Sequence, residues 1–268
     1  MNPDELLTVA REAAGEGART AMAWRSRELV VEEKAASDDL VSQADRDTER
    51  VITAVLARHR PHDAVLGEEA GVTDGAGRVR WIVDPIDGTT NYLYGRPDWA
   101  VSVAAADATD GTLLAGVVLE PMLGRATEAR LGGGTRADGV PVPALRQDDL
   151  SRALVELNFG RPDQRALSGR VIDVLLPQVR DLRRGGSAAA ALAQVATGRA
   201  DALWAPGLQP WDCAAGILLV QEAGGTTGDL GGPVSGTWPP GGDVLAAADP
   251  LWHAIRSLLT APWRGTER

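Results

Sequence analysis

The sequence predicts an α+β half running into an α/β half across one shared interface, and three observations carry that expectation. Residues 1–145 set two helical patterns ahead of strand-like segments joined by hairpin turns. After Pro141 and Pro143 the pattern changes to alternating strand and helix. No repeat of 20–50 residues and no low-complexity linker cuts the chain, so 1–145 and 146–268 are expected to form one structural unit.

Asp4 to Arg25 places Leu6, Leu7, Ala10, Ala13, Ala14 and Ala21 at helical spacing, and Asp45 to His59 does the same with Val51, Ile52, Val55 and Leu56. Ala64–Leu66 and Val79–Val83 are short apolar runs, each followed by acidic residues. The second is expected to end at Asp84, with Pro85 stopping the ladder. Trp99–Ala106 and Leu113–Leu119 flank the turn-rich Asp107–Gly111 and predict a hairpin, with Ala126–Ala129 as a third strand. In the second half, strands are expected at Ala153–Leu157, Ala200–Trp204 and Val244–Ala248. Helices are expected at Asp163–Val179 (ended or bent by Pro177), Ser187–Thr197, Asp212–Ala223 and Leu251–Leu259.

Composition bounds the function. The chain has 268 residues, 44% hydrophobic and 24% charged, which is enough apolar material for a sizeable core. No apolar run reaches the roughly 18 residues that a membrane span requires. The acidic start, Met1 to Glu5, leads into an amphipathic segment and does not read as a signal peptide. A single cysteine, Cys213, excludes an internal disulfide and a cysteine zinc site, and three scattered histidines disfavour a histidine metal site. The net charge of −10 opposes general nucleic-acid binding. These bounds describe a soluble, cytoplasmic protein with no membrane or nucleic-acid partner. Lys34 is the one lysine among 27 basic residues, an arginine bias of the kind GC-rich coding produces.

Carboxylates then concentrate where chemistry is expected. In Trp81 to Tyr92 (WIVDPIDGTTNY), Asp84 and Asp87 follow an apolar strand and precede Gly88-Thr89-Thr90, whose amides and hydroxyls open a helix. Gly67-Glu68-Glu69 lies just upstream. Any one of these acids alone is an ordinary turn former. Together they would repel one another unless cations neutralised them, and hard oxygen ligands at strand ends are what Mg²⁺ takes. Trp211-Asp212-Cys213 opens an apolar helix. Asp212 is either the cap of that helix or a further carboxylate aimed at the metals, and Cys213 is either a low-pKa thiol or a small buried apolar residue.

On these residues the chain resembles the inositol monophosphatase-like, lithium-sensitive, Mg²⁺-dependent phosphatases, from about Leu6 to Leu259. The resemblance rests on Asp39-Leu40-Val41 with Asp45 and Glu49, Gly67-Glu68-Glu69, Asp84-Pro85-Ile86-Asp87-Gly88-Thr89-Thr90-Asn91, and Trp211-Asp212 with Ala214-Ala215-Gly216. It implies the layered α-β-α-β-α sandwich of the inositol monophosphatase and fructose-1,6-bisphosphatase type, a homodimer, and two to three Mg²⁺ ions acting on a small phosphorylated metabolite. Glu68, Asp84 and the Ile86 carbonyl would hold one ion. Asp84, Asp87 and Asp212 would hold a second, and Glu68 would help a third. Asp45 and Thr89 would orient and deprotonate the attacking water, and Glu69 would support the ligands. Gly88, Thr89 and Thr90 would receive phosphate beside Asp87 and Asp212. Gly186, Ser187 and Ala188 would face the alcohol portion, and Lys34 matches a lysine on a metal-side loop.

The substrate is where the sequence departs from that pattern. Inositol-acting members carry an acid seven positions before the Asp of Trp-Asp, and here that position is Ala205. Phe159 stands where those members are small and polar. Inositol 1-phosphate is the first expectation; histidinol phosphate, fructose 1,6-bisphosphate and other sugar phosphates are the alternatives. A haloacid dehalogenase-type mechanism is excluded because Pro85 occupies the position of its nucleophilic Asp, and Gly132-Gly133-Gly134 lacks the Lys-Ser/Thr of a nucleotide loop. The alternative of a different class is a catalytically silent binding or regulatory protein.

Overall fold

Five layers alternate helices and sheets, and a computed structural model describes residues 2–25, 31–33, 40–160 and 164–264 of them. Helix α1 (Pro3–Trp24) starts where the Asn2 side chain accepts the Asp4 N–H at 3.1 Å and Pro3 occupies the first turn. A ribbon of β1 (Val31–Glu33) and β2 (Leu40–Ser42) precedes α2 (Gln43–His59). The first half continues as β3 (Ala64–Gly67), β4 (Gly71–Thr73), β5 (Val79–Asp87), the short helix α3 (Thr89–Leu93), β6 (Ala100–Asp107), β7 (Leu113–Glu120), β8 (Arg125–Arg130), β9 (Thr135–Ala137) and β10 (Val140–Pro141). The eight strands from β3 to β10 form one sheet in the order β10-β9-β8-β7-β6-β5-β3-β4, antiparallel except for β3 beside β5.

The second half is β11 (Leu154–Leu157), α4 (Arg165–Leu175), β12 (Asp181–Arg183), α5 (Ala188–Ala196), β13 (Ala202–Ala205), α6 (Pro210–Glu222), β14 (Thr226–Asp229), β15 (Gly232–Pro233), β16 (Val244–Ala247) and α7 (Asp249–Arg264). Its six strands order as β12-β11-β13-β16-β14-β15, with β11 parallel to both neighbours.

Strand alternation sets the layers. In β6, Val101, Val103 and Ala105 face the core under α1 and α2, while Ala100, Ala104 and Ala106 face the core containing α5 and α6. In β13, Leu203 and Ala205 face that same central layer, and Ala202 and Trp204 face the outer layer of α4 and α7. Both sheets are covered on both faces, which is why their central strands read as continuous apolar runs. Helix α5 (AAAALAQVA) is buried almost all round because it lies between the sheets, and its small side chains let it do so.

Two local expectations are corrected. Strand β5 does not end at Asp84. Its register with β6 shifts between Asp84 and Asp87, and pairing resumes at Asp87 opposite Ala100. Pro85 sits in that irregularity, where its missing N–H removes no ladder bond. Asp212 is not the cap of α6. The helix begins two residues earlier at Pro210, and the Asp212 carboxylate accepts the Gln209 N–H at 2.6 Å from inside the first turn. Lys34, Asp39 and Asp163 lie outside the described residues.

Candidate active site

The irregularity in β5 gathers the acids. Asp84, Asp87 and Asp212 each offer a carboxylate oxygen, and these oxygens all lie within 4.8 Å of one another. Two come from the broken end of β5 and the third from the first turn of α6, which packs across the same sheet. Asp84 is 1% exposed. Burial is the largest cause that pushes its pKa well up, followed by the charges of Glu68, Asp87, Asp212 and Asp45. Burial also raises Asp87 to about 6, against hydrogen bonds from Ser187 and the amides of Ala189 and Ala188 that pull it down. A buried cluster of hard oxygen donors whose dominant neighbours are other carboxylates fits a divalent cation such as Mg²⁺.

Each acid has a separate support. Asp87 is held across the molecule: the Ser187 hydroxyl donates to its Oδ2 at 2.5 Å and the Ala189 N–H at 2.6 Å, while Ser187 caps α5 by accepting the Ala190 N–H at 3.1 Å. One oxygen is thereby fixed by the start of α5, leaving the other for a cation. Asp84 accepts the Ile86 N–H at 3.1 Å, which folds the strand end over its own carboxylate. Glu49 carries the corner that bears Glu68. Its carboxylate accepts the N–H groups of Glu69 and Ala70 at 2.8 and 2.7 Å. A Cβ on Gly67 would lie 2.5 Å from the Glu49 carboxyl carbon, so only glycine fits there.

The Thr89 hydroxyl lies 3.4 Å from Asp45 Oδ1 and 3.1 Å from the Ile86 carbonyl, so Asp45, Thr89 and Ile86 meet at one point. Gly88 stands at φ +94° before α3, a left-handed conformation that glycine adopts without strain. Thr90 is exposed on the same turn. Asn91 ties this turn to the second half by donating to the carbonyls of Asp98 and Gly185 at 2.5 and 2.7 Å. Gly186, Ser187 and Ala188 thus sit beside α3, with Ser187 and Ala188 buried against Asp87. Cys213 is buried, and burial together with Asp212 and Asp87 pushes its thiol well up, so it is a small apolar residue and no thiolate. Gly132 and Gly134 form a turn whose amides both bind the Glu222 carboxylate at 2.7 Å.

Sequence reasoning gave no role to Glu49 or Asn91, and it assigned Ser187 to substrate without seeing its contact with Asp87. A signal for Glu49 was present. It follows Asp45 by four residues on the buried face of α2 that continues through Ile52 and Leu56. A carboxylate on an apolar stripe needs a partner, and only the fold shows that the partner is the Glu69–Ala70 backbone.

The sequence signature described as the Inositol monophosphatase family matches residues 2–263. The chain belongs to this family. It is 39% identical to Inositol-1-monophosphatase of Mycobacterium leprae (strain TN) over 280 residues, covering 96% of this chain and 94% of that protein. It is also 39% identical to Nus factor SuhB of Pseudomonas aeruginosa over 211 residues, 76% of this chain and 77% of the relative. Among solved structures, extragenic suppressor protein suhB from Bartonella henselae superposes with a TM-score of 0.89 at 31% identity, covering 95% of this chain and 98% of that one. Mycobacterium tuberculosis SuhB gives 0.80 at 34%, covering 97% and 98%. Family membership makes the chain a phosphoric monoester hydrolase of the layered sandwich type. No helix among the described residues is long and apolar enough to cross a membrane.

Proposed function

We propose that this member of the inositol monophosphatase family hydrolyses a small phosphate monoester with Mg²⁺, inositol 1-phosphate being the first substrate to test. The observation that carries the reading is the buried Asp84–Asp87–Asp212 cluster beside the Asp45–Thr89 contact. Asp84, Asp87 and Asp212 would hold one ion, and Glu68, Asp84 and the Ile86 carbonyl another. When bound, the ions reverse the negative field, activate water and neutralise the leaving oxygen.

The chain's own groups do the rest. Asp45 accepts the proton that attacking water loses, through or beside the Thr89 hydroxyl that holds the water in line. The amides of Gly88 and Thr89, with the Thr90 hydroxyl nearby, bind the phosphate oxygens. Gly186 and its neighbours border the alcohol portion. With Cys213 buried and protonated, direct attack by water without a phosphoenzyme is the mechanism these groups support. A dimer formed by two copies of this chain, in the cytoplasm, completes the reading.

A second substrate reading rests on Ala205, which is fully buried and faces the layer of α5 and α6, so it offers no acceptor to a polyol. Phosphate release should therefore be measured on inositol 1-phosphate, histidinol phosphate, fructose 1,6-bisphosphate and glycerol 2-phosphate, each with Mg²⁺ and with EDTA. Mg²⁺-dependent release from one of them is the expected result. No release from any would sink the hydrolase reading for this chain and favour a catalytically silent binding or regulatory role.

A further inference from the structure

We propose that Asn158 is a specificity-determining residue that hydrogen-bonds hydroxyl groups on the alcohol portion of the substrate; this rests on the phosphatase reading above. Asn158 follows β11, the middle of three parallel strands, so the carboxyl ends of β12, β11 and β13 share one edge of the second sheet. Both neighbouring ends lead into the site. From β12 the chain runs on to Ser187, whose hydroxyl holds Asp87, and from β13 it runs on to Asp212 of the carboxylate cluster. The carboxyl ends of parallel strands are where open sheets gather ligands, and Asn158 stands between two that already serve this site.

Alternation along the strand fixes the face that Asn158 takes. Val155 and Leu157 belong to the outer core with α4 and α7, and Phe159 packs against that core. Glu156 and Asn158 therefore turn the other way, toward the central layer. Glu156 bears this out: its Oε2 accepts the Gly185 N–H at 3.4 Å, and the Gly185 carbonyl accepts the Asn91 side chain of α3 at 2.7 Å. Two residues farther along, the Asn158 N–H donates to the Trp204 carbonyl at 2.9 Å. The register that pairs Leu157 with Trp204 sets Asn158 level with Ala205, about 4.8 Å away across the strands and on the same face. Ala205 is fully covered, whereas Asn158 is only half-buried. Of the two departures from the inositol-acting pattern, Phe159 thus faces away from the site, and the residue before it faces in.

The chemistry matches that place. Ala205 offers a hydroxyl nothing, and one strand away Asn158 offers both an acceptor oxygen and an N–H donor. An acid can only accept; a carboxamide can take the proton of one hydroxyl and donate to the oxygen of its neighbour. It also adds no further negative charge to a region where three carboxylates already lie within 4.8 Å of one another. The ligand class is therefore the phosphate ester of an uncharged polyol or sugar, with its phosphate at Gly88–Thr90 and its hydroxyls between the Gly186 turn and Asn158.

The test compares kcat and KM at saturating Mg²⁺ on inositol 1-phosphate, sorbitol 6-phosphate and cyclohexyl phosphate, the last a six-membered ring without hydroxyls, with Ki measured for any ester that binds without turnover. The wild type is expected to prefer one or both hydroxylated esters. Asn158→Ala should lower that preference over cyclohexyl phosphate by about tenfold, mainly through KM. Asn158→Asp should keep part of it, since the acceptor remains, and Phe159→Leu should leave it unchanged. Equal losses on all three esters, changes within twofold throughout, or a wild type indifferent to hydroxyls would overturn the assignment while leaving the hydrolase reading intact. A preference that moves with Phe159→Leu and not with Asn158→Ala would overturn it too. A wild-type protein that cleaves none of the three or of the panel above overturns the hydrolase reading, and the assignment falls with it.

Discussion

Ser187 acts on the site one atom at a time. Its hydroxyl is among the contacts that pull Asp87 down against burial, so removing it should raise Asp87 further above about 6. A protonated carboxylate does not bind Mg²⁺. Ser187→Ala is therefore expected to raise the Mg²⁺ concentration for half-maximal activity more at pH 6.5 than at pH 8, while Ser187→Thr restores it. The helix-cap loss costs about 1 kcal/mol in addition, and it is independent of this pH effect. Glu49→Gln tests the opposite corner: with the Glu69 and Ala70 amides held less firmly, Mg²⁺ affinity should fall by about 10- to 100-fold in a titration of initial rates. Asp84→Asn, which removes a group shared by both proposed ion positions, should reduce turnover by more than either. Near-wild-type activity in that variant would sink the metal assignment.

Elements explain what the sequence made legible. Asp84, Asp87, Gly88 and Thr89 were readable because one continuous segment carries them, so a single strand-to-helix passage delivers them together. Asp212 needed the resemblance, since spacing along the chain says nothing of α6 lying across β5. The contacts between halves, Ser187 to Asp87 and Asn91 to Gly185, join residues about a hundred positions apart and had no local signature. Strand β14 (TTGD) escaped because it is four residues long, carries no apolar side chain and ends in Gly228 and Asp229, yet it pairs with β16 within the second sheet. Gly216 was noted only as part of a motif, and packing gives its reason. A Cβ there would lie 2.4 Å from the Leu192 Cβ, where α6 crosses α5. Gly216→Ala should therefore destabilise the protein by about 1–3 kcal/mol in denaturant unfolding despite the better helix propensity of alanine.

At the scale of the whole molecule, burial has pushed five carboxylates the same way. Glu49, Glu120 and Glu156 are raised along with Asp84 and Asp87, with desolvation the largest cause for each. A carboxylate whose folded pKa is raised binds its proton more tightly when folded. The stability it lends is complete below the unfolded value near 4 and is lost as pH rises through the folded value, about 6 for Asp87. In EDTA, the contribution of these groups should therefore be larger at pH 5 than at pH 8. Asp84→Asn should raise the apo-protein melting temperature by about 5 °C at pH 8 and by much less near pH 4. Mg²⁺ should reverse the order. It binds the deprotonated cluster, so its stabilisation of the wild type should grow from pH 5 to pH 8 and be largely absent in Asp84→Asn. Thermal unfolding at the two pH values, with EDTA and with Mg²⁺, separates these terms. A Mg²⁺ increment equal in wild type and variant would place the cation elsewhere. The clustered carboxylates come from β5 and from α6, and Asp87 is clasped by α5 between the sheets. Both sheets should therefore melt in one transition that shifts as a unit with the metal.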